Sequence, residues 1–462
     1  MSMYHRGHST AAEPVTQFLP KLSVRKGTGF PLTPPRWSAS RAKEWFAAQP
    51  WRQGANFLPS SASNQFEMFQ SDTFDEATIS RELAWAAMLK YNAVRVFLHN
   101  LLYWDDSKGF LKRVDAFLRI ADSHGIGTML VLFDGCWDPH PKNGTQLEPR
   151  PGVHNSRWAQ APGARILADP ATHDQLKGYV KAVVARYAND SRVLLFDVFN
   201  EPDNANSGSY SNISYRVPSA EDAMGKELPP LQKAQGARSL IAKALQWSRE
   251  IGPTQPLTVG IYEAPSGDEE ADLYRAETSD WVLGVVDVTS VHNYGSIQGV
   301  ATQIMDLKSL GRPVICSEYM SRNTGSTFDP VLGYFRCVTH CTNVPLRPLF
   351  IVHRPLRRSQ GVWAFNWGLV AGRSQTNYPW DSWHIEYTEE PTLWQHDVLR
   401  LDGSPYDAAE SAYLRNPTNK FLAQNILVAC MLVGLLVASI FTSVACFWNR
   451  RSLFSAVPKD ED

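Results

Sequence analysis

A chain of 462 residues, 44% of them hydrophobic, is long enough to bury a large core, and an α/β barrel can occupy such a length as one unit. A formal net charge of −1 removes the electrostatic case for a nucleic-acid partner. Six cysteines in this length exclude a disulfide scaffold.

Residues 1–36 carry Pro, Gly, Ser and basic side chains without helical or strand periodicity and read as a disordered arm. The arm has no apolar h-region of the secretory kind. From residue 37 to 418 one folded unit is expected. Its candidate strands are QGANFL (53–58), AVRVFLH (93–99), GTMLVLFD (127–134), VLLFDVFN (193–200), LTVGIY (257–262), VVDVTSVH (285–292), PVICSEY (313–319) and GVWAFNW (361–367). Amphipathic helices fall between them, among them 76–89, 110–125 and 174–188. Near-continuous apolar strands alternating with helices predict a parallel sheet covered on both sides. Eight of them predict a (β/α)8 TIM barrel. No Gly-x-Gly-x-x-Gly opens a helix after the first strand, which removes the dinucleotide-binding alternative.

Residues 337–360, CVTHCTNVPLRPLFIVHRPLRRSQ, are longer than the turn needed before the eighth strand and read as an insertion or foreign sequence. Cys337, His340, Cys341 and His353 match no common zinc spacing, and no metal is expected. Cys337 and Cys341 stand one helical turn apart and could pair in an oxidising compartment. Near the C-terminus, ILVACMLVGLLVASIFTSVACF (426–447) is uncharged and long enough for one membrane-spanning helix, taken as 425–448, with a polar tail at 449–462. Arg450 and Arg451 directly after it favour a cytoplasmic tail and an extracellular or lumenal globular part. The lack of a leader favours the opposite, a tail-anchored form facing the cytosol, unless the true N-terminus lies upstream. Sequons at Asn143, Asn189 and Asn212 suit the lumenal side.

In a barrel the working groups stand at the carboxyl ends of the strands. The predicted tips deliver His99, Asp134, Asn200 with Glu201, Tyr262 with Glu263, His292 with Tyr294, Glu318, and Trp367. A buried carboxylate is costly unless paired or hydrogen-bonded, so two glutamates converging on one cavity need a reason. Cleavage of a glycosidic bond supplies one: it needs one carboxyl protonated and another ionised, and closeness separates their proton affinities. Glu201 on the fourth strand and Glu318 on the seventh come from opposite sides of an eight-stranded ring.

These motifs resemble glycoside hydrolase clan A, and most of all its family-five cellulase-like members, over roughly residues 50–410. The resemblance implies that Glu201 in "FNEP" is the acid/base and Glu318 in "ICSEY" the nucleophile. It further implies a sugar 2-hydroxyl contact for Asn200, support of Glu318 by Arg95 in "VRVF", His292 near the acid/base and Tyr294 on the nucleophile ("VHNY"), and a tryptophan platform at Trp367 ("FNWG"). Longer stretches such as VFLHNLLYWDD, LFDGCWDP and WGLVAGRSQTNYPWDSW are similar to proteins labelled cellulase-like or xylanase-like. The third strand departs from the family pattern, ending in Asp134 and Cys136 where a His is common. The 337–360 insertion is a second departure and threatens the placement of strand eight and Trp367.

The expectation is therefore a retaining O-glycoside hydrolase acting on a β-linked carbohydrate, with no metal or organic cofactor. Asp134 and Trp137 are further expected substrate contacts, Glu263 is a runner-up, and Asp197 reads as an interior hydrogen-bonded residue. His99 reads as a structural strand-end histidine. About half of Trp137, Trp158, Trp380 and Trp383 are expected to stack sugars, the rest to pack. Two other readings stay open: a catalytically inactive, membrane-tethered carbohydrate-binding protein, and a transglycosylase on the same scaffold.

Overall fold

The structure is a computed structural model describing residues 35–417, apart from 203, 207–227, 263–265 and 342–360; at 337–341 it describes the backbone alone. The expected membrane helix at 425–448, most of the N-terminal arm, the segment 342–360, Asn212 and Glu263 therefore lie outside the described residues. So do the side chains of Cys337, His340, Cys341 and His353. Among the described residues no helix is long and apolar enough to cross a membrane.

Eight strands close into a parallel barrel in sequence order: β1 (Gln53–Asn56), β2 (Ala93–Phe97), β3 (Gly127–Val131), β4 (Val193–Asn200), β5 (Leu257–Ile261), β6 (Thr289–His292), β7 (Val314–Tyr319) and β8 (Trp363–Trp367). Every expected strand is present. β8 pairs with both β7 and β1, so the 337–360 stretch does not displace it. The helix expected from 110 begins earlier, at Ser107, because the Asp106 side chain accepts the Gly109 N–H and caps the first turn.

Alternation along the strands sorts side chains into two environments. Val94, Val96, Leu130, Phe196 and Val198 face outward into the layer of helices. Ala93, Met129, Leu195, Ile315, Trp363 and Phe365 face inward and fill the amino-terminal half of the barrel. The helix Ala39–Ala48 plugs that end, with Phe46 stacked on Trp363 at 4.8 Å. Two residues further along each strand the same inward parity brings Arg95 and Asp197, both fully buried. Beyond them Phe97, Val131 and Trp367 form the top layer with Cys136 and Trp158. The barrel thus changes from apolar to charged to aromatic between its sealed end and its mouth.

Candidate active site

Irregular register at three ladders sets up the mouth. Pairing shifts between Asp197 and Asn200 on β4, between Val291 and His292 on β6, and between Cys316 and Tyr319 on β7. Such bulges re-aim the side chains that follow them. Glu201 itself stands at φ 40°, a conformation non-glycine residues rarely adopt, and Pro202 ends the strand behind it. Its N–H is tied to the Gly260 carbonyl at 2.9 Å. The loop after β3 presses against this tip so closely that a Cβ on Gly135 would lie 1.9 Å from the Glu201 carbonyl oxygen. Gly260 on β5 is similarly constrained, because a Cβ there would meet His292 Nε2 at 2.9 Å and an Arg95 nitrogen at 3.1 Å.

Arg95 organises the charged layer. Its guanidinium donates to Asp197 at 2.7 Å, Glu318 Oε1 at 2.7 Å, Asn56 Oδ1 at 2.8 Å and Asn200 Oδ1 at 2.5 Å. Burial alone would lower this guanidinium's proton affinity, but Asp197 and Glu318 more than offset it and hold the cation firmly charged. Asp197 is the interior residue expected, also accepting the Gly260 N–H at 3.1 Å. Asn56 was not expected. Its amide donates to the Ser317 carbonyl at 2.8 Å, so it links Arg95 to the strand that carries Glu318.

Glu318 accepts a second donor, the Tyr294 hydroxyl, on Oε2 at 2.6 Å. Glu201 meets His292 Nδ1 through Oε1 at 2.6 Å, and the Asn204 amide and Cys136 thiol through Oε2 at 2.6 and 3.1 Å. His292 is held neutral near physiological pH, its proton affinity lowered to about 4 by burial. Burial raises both glutamates above the ordinary carboxyl range. At Glu201 that rise is opposed by the Asn204 and Cys136 hydrogen bonds and by the Arg95 and Arg275 charges; at Glu318 the Glu201 charge adds to it, while the Arg95 charge and the Tyr294 hydrogen bond oppose it. What separates the two carboxyls geometrically is the guanidinium bound directly to Glu318 and not to Glu201.

One oxygen of Glu201, one of Glu318 and a His292 nitrogen lie within 4.8 Å of one another. That spacing would also suit a cation's ligands, but the Arg95 guanidinium on Glu318 already supplies the positive charge. The pair borders a cavity of about 240 Å³ lined also by Asn200, Trp367, Trp137, Tyr262, His154 and His396. Trp367 is braced edge-on by Phe97 and Trp158. Trp137 lies flat on Trp383 at 5.6 Å, and Trp380 meets Tyr294 edge-on at 5.1 Å.

The expected residues thus divide. Glu201, Glu318, Asn200, Tyr294, Trp367, Trp137 and Trp380 line the cavity, and His292 backs Glu201. Asp134 does not reach it. It is fully buried, bonded to Asn200, Trp158, Gln65 and the Cys136 N–H, and burial raises its carboxyl to about 7. Its work is to hold the Asn200 amide from the side opposite Arg95, not to touch a sugar. His99 is likewise structural, with Nδ1 capping the helix that starts at Asn100 and Nε2 on the Gln160 carbonyl. Trp383 and Trp158 are almost wholly buried, and of the two only Trp158 borders the cavity. Asn204, His154 and His396 come from loops without periodicity. Asn56 stands at a strand tip, and the tip rule applied to β1 finds it.

A carboxyl pair at the mouth of a closed parallel barrel, one member bound to a guanidinium, is the working site of a glycoside hydrolase. A family model described as Cellulase (glycosyl hydrolase family 5) matches residues 59–339, and the chain belongs to that family. Solved structures similar to it include GH5_18 from Streptomyces cattleya in complex with GlcNAc, 16% identical over 80% of this chain and 82% of that one, with a TM-score of 0.46. A second is the exo-beta-1,4-mannosidase from Opitutaceae bacterium strain TAV5, 15% identical over 79% and 59% of the two chains, with a TM-score of 0.46. A third, an apo beta-glucosidase, is 12% identical over 80% and 99%, with a TM-score of 0.49. No curated protein matches the chain.

Proposed function

We propose that the protein cleaves β-linked glycosides or polysaccharides with retention of configuration, by a double displacement on Glu318 and Glu201. The observation that carries this reading is the approach of the two carboxyls to within 4.8 Å. Retaining enzymes place the pair roughly 5–5.5 Å apart, whereas inverting ones leave roughly 6.5–9.5 Å for a water. Glu318, bound by Arg95 and oriented by Tyr294, attacks the anomeric carbon in its ionised form. Glu201 gives its proton to the departing oxygen. Glu201 then takes a proton from water, which releases the sugar from Glu318. Asn200, gripped by Arg95 and Asp134, presents its amide at the cavity for the sugar's 2-hydroxyl, and Trp367 and Trp137 offer ring faces to the sugar. Neither a metal nor an organic cofactor enters these steps.

The test is an NMR time course on a panel of aryl β-glycosides and β-linked oligosaccharides. The first-formed product should carry the β-anomer; an α-anomer formed first would refute the mechanism, and the best substrate would name the specificity. We further propose that residues 425–448 tether the enzyme to a membrane, with the barrel on the extracellular or lumenal side. Full-length protein should stay with membranes after alkaline extraction, and a chain ending at 418 should be released. Release of both would remove the tether.

A further inference from the structure

The oxygens of Glu201 are held by unlike partners, and the difference lies in what each partner can do when the carboxyl gains a proton. Asn204 can act in one way only. The Asn206 N–H donates to Asn204 Oδ1 at 2.8 Å, which fixes the amide so that its NH₂ group faces Glu201 Oε2 at 2.6 Å. An NH₂ group donates and does not accept. Cys136 is different. Its sulfur lies 3.1 Å from the same Oε2 and receives the Asn204 NH₂ at 3.4 Å, and a thiol is both a weak donor and a weak acceptor. Burial pushes the Cys136 thiol well above its ordinary range, so it keeps its proton throughout. The backbone that presents it is rigid: the Cys136 N–H is on Asp134 Oδ1 at 2.9 Å, and the Lys233 ammonium holds the Gly135 carbonyl at 2.7 Å.

We propose that Asn204 and Cys136 are positioning residues for Glu201 in both of its protonation states: Asn204 fixes the rotation of the carboxyl group, and Cys136 donates to Oε2 when it is ionised and accepts from it when it carries the proton. Glu201 can then give up and regain its proton without turning away from the substrate. The thiol is suited to this because, as a weak donor, it does not bind the carboxylate so strongly that the acid form is lost. This inference rests on the reading of Glu201 as acid/base.

The experiment is the pH profile of kcat/KM for Cys136→Ala, Cys136→Ser, Asn204→Leu and Glu201→Gln, each with a melting curve. Other groups facing Glu201 are His292 on β6, Glu318 on β7, Tyr262 and Tyr294 beside them, Arg95 on β2, Asp134, and Arg275 on the helix Glu269–Val285. None of them is altered in the Cys136 and Asn204 variants. Removing a donor to the ionised carboxyl raises its proton affinity, and the first step needs the proton. The basic limb should therefore move to higher pH, by roughly one unit for Asn204→Leu and less for Cys136→Ala, with Cys136→Ser returning it toward the parent. Profiles that superimpose while only melting temperatures change would overturn the proposal, as would a serine no better than alanine. Glu201→Gln separates the levels: a basic limb that survives in that variant removes the acid/base reading itself, whereas its loss there leaves the Cys136 and Asn204 result to stand or fall alone.

Discussion

Glu318 and Glu201 occupy equivalent places, the tips of β7 and β4 in one ring, and both are almost fully buried. Their surroundings differ in charge. Glu318 has a guanidinium on one oxygen and a phenol on the other; Glu201 has a neutral imidazole, an amide and a thiol. Burial pushes both carboxyls toward the acid form, and a cation bound directly to Glu318 opposes that push there. In the proposed mechanism two identical side chains take different roles through what the other strands bring to each, above all through the Arg95 contact on Glu318.

The contrast is broken most severely by removing the proposed nucleophile. Glu318→Gln should lose on the order of 10⁴-fold or more in kcat on every substrate, the scale reached when a covalent nucleophile is deleted. Glu201→Gln should lose about 10²–10⁴-fold on glycosides with poor leaving groups and far less on dinitrophenyl glycosides, which depart without a proton. Equal losses in both variants on the dinitrophenyl substrate would mean that the two roles are not divided this way.

Arg95→Met should come next. It strands Asp197 and Glu318 in the barrel without a counter-charge, and breaking such a buried pair costs about 3–5 kcal/mol, read from denaturant unfolding. A variant as stable as the parent would show that the charged layer is held by hydrogen bonds alone.

Tyr294→Phe is the smallest change and the sharpest test of separateness. It takes a donor from the ionised form of Glu318, so that carboxyl's proton affinity rises. Because the proposed attack needs Glu318 ionised, the acid limb of kcat/KM should move to higher pH by roughly one unit, with the basic limb unmoved. A shift of the basic limb instead would couple the two carboxyls more tightly than their partners imply.

How much of this was legible depended on which physical signal carried it. The strands were legible because a parallel sheet buried on both faces must be apolar along its whole length, and β4 is buried at every position. Helix starts were less so: the helix at Ser107 opens on a capping Asp106 that apolar periodicity does not register. Glu201, Glu318, His292 and Tyr294 were legible because a strand tip is a fixed place in a barrel, whereas Arg95, inside β2, was reached only through the family resemblance. The same rule put Asp134 at the substrate, and it lies behind the wall, since a tip residue of the wrong parity or beyond a bend is turned away from the axis. Asn204 and Cys136 depend on the turn after Pro202 and the loop after β3, where no period exists to read.

The Arg95–Glu318 bond joins residues 223 positions apart, and this has a consequence during synthesis. At translation rates of about 5–20 residues per second, roughly 10 to 45 s pass between the emergence of the guanidinium and that of its carboxylate. For that interval the growing chain has its cation and an open sheet edge at β1, which waits for β8, and Asp197 joins only 102 residues after Arg95. A ring sealed by its last strand thus leaves Arg95 without its Glu318 partner until the seventh of its eight strands has been made.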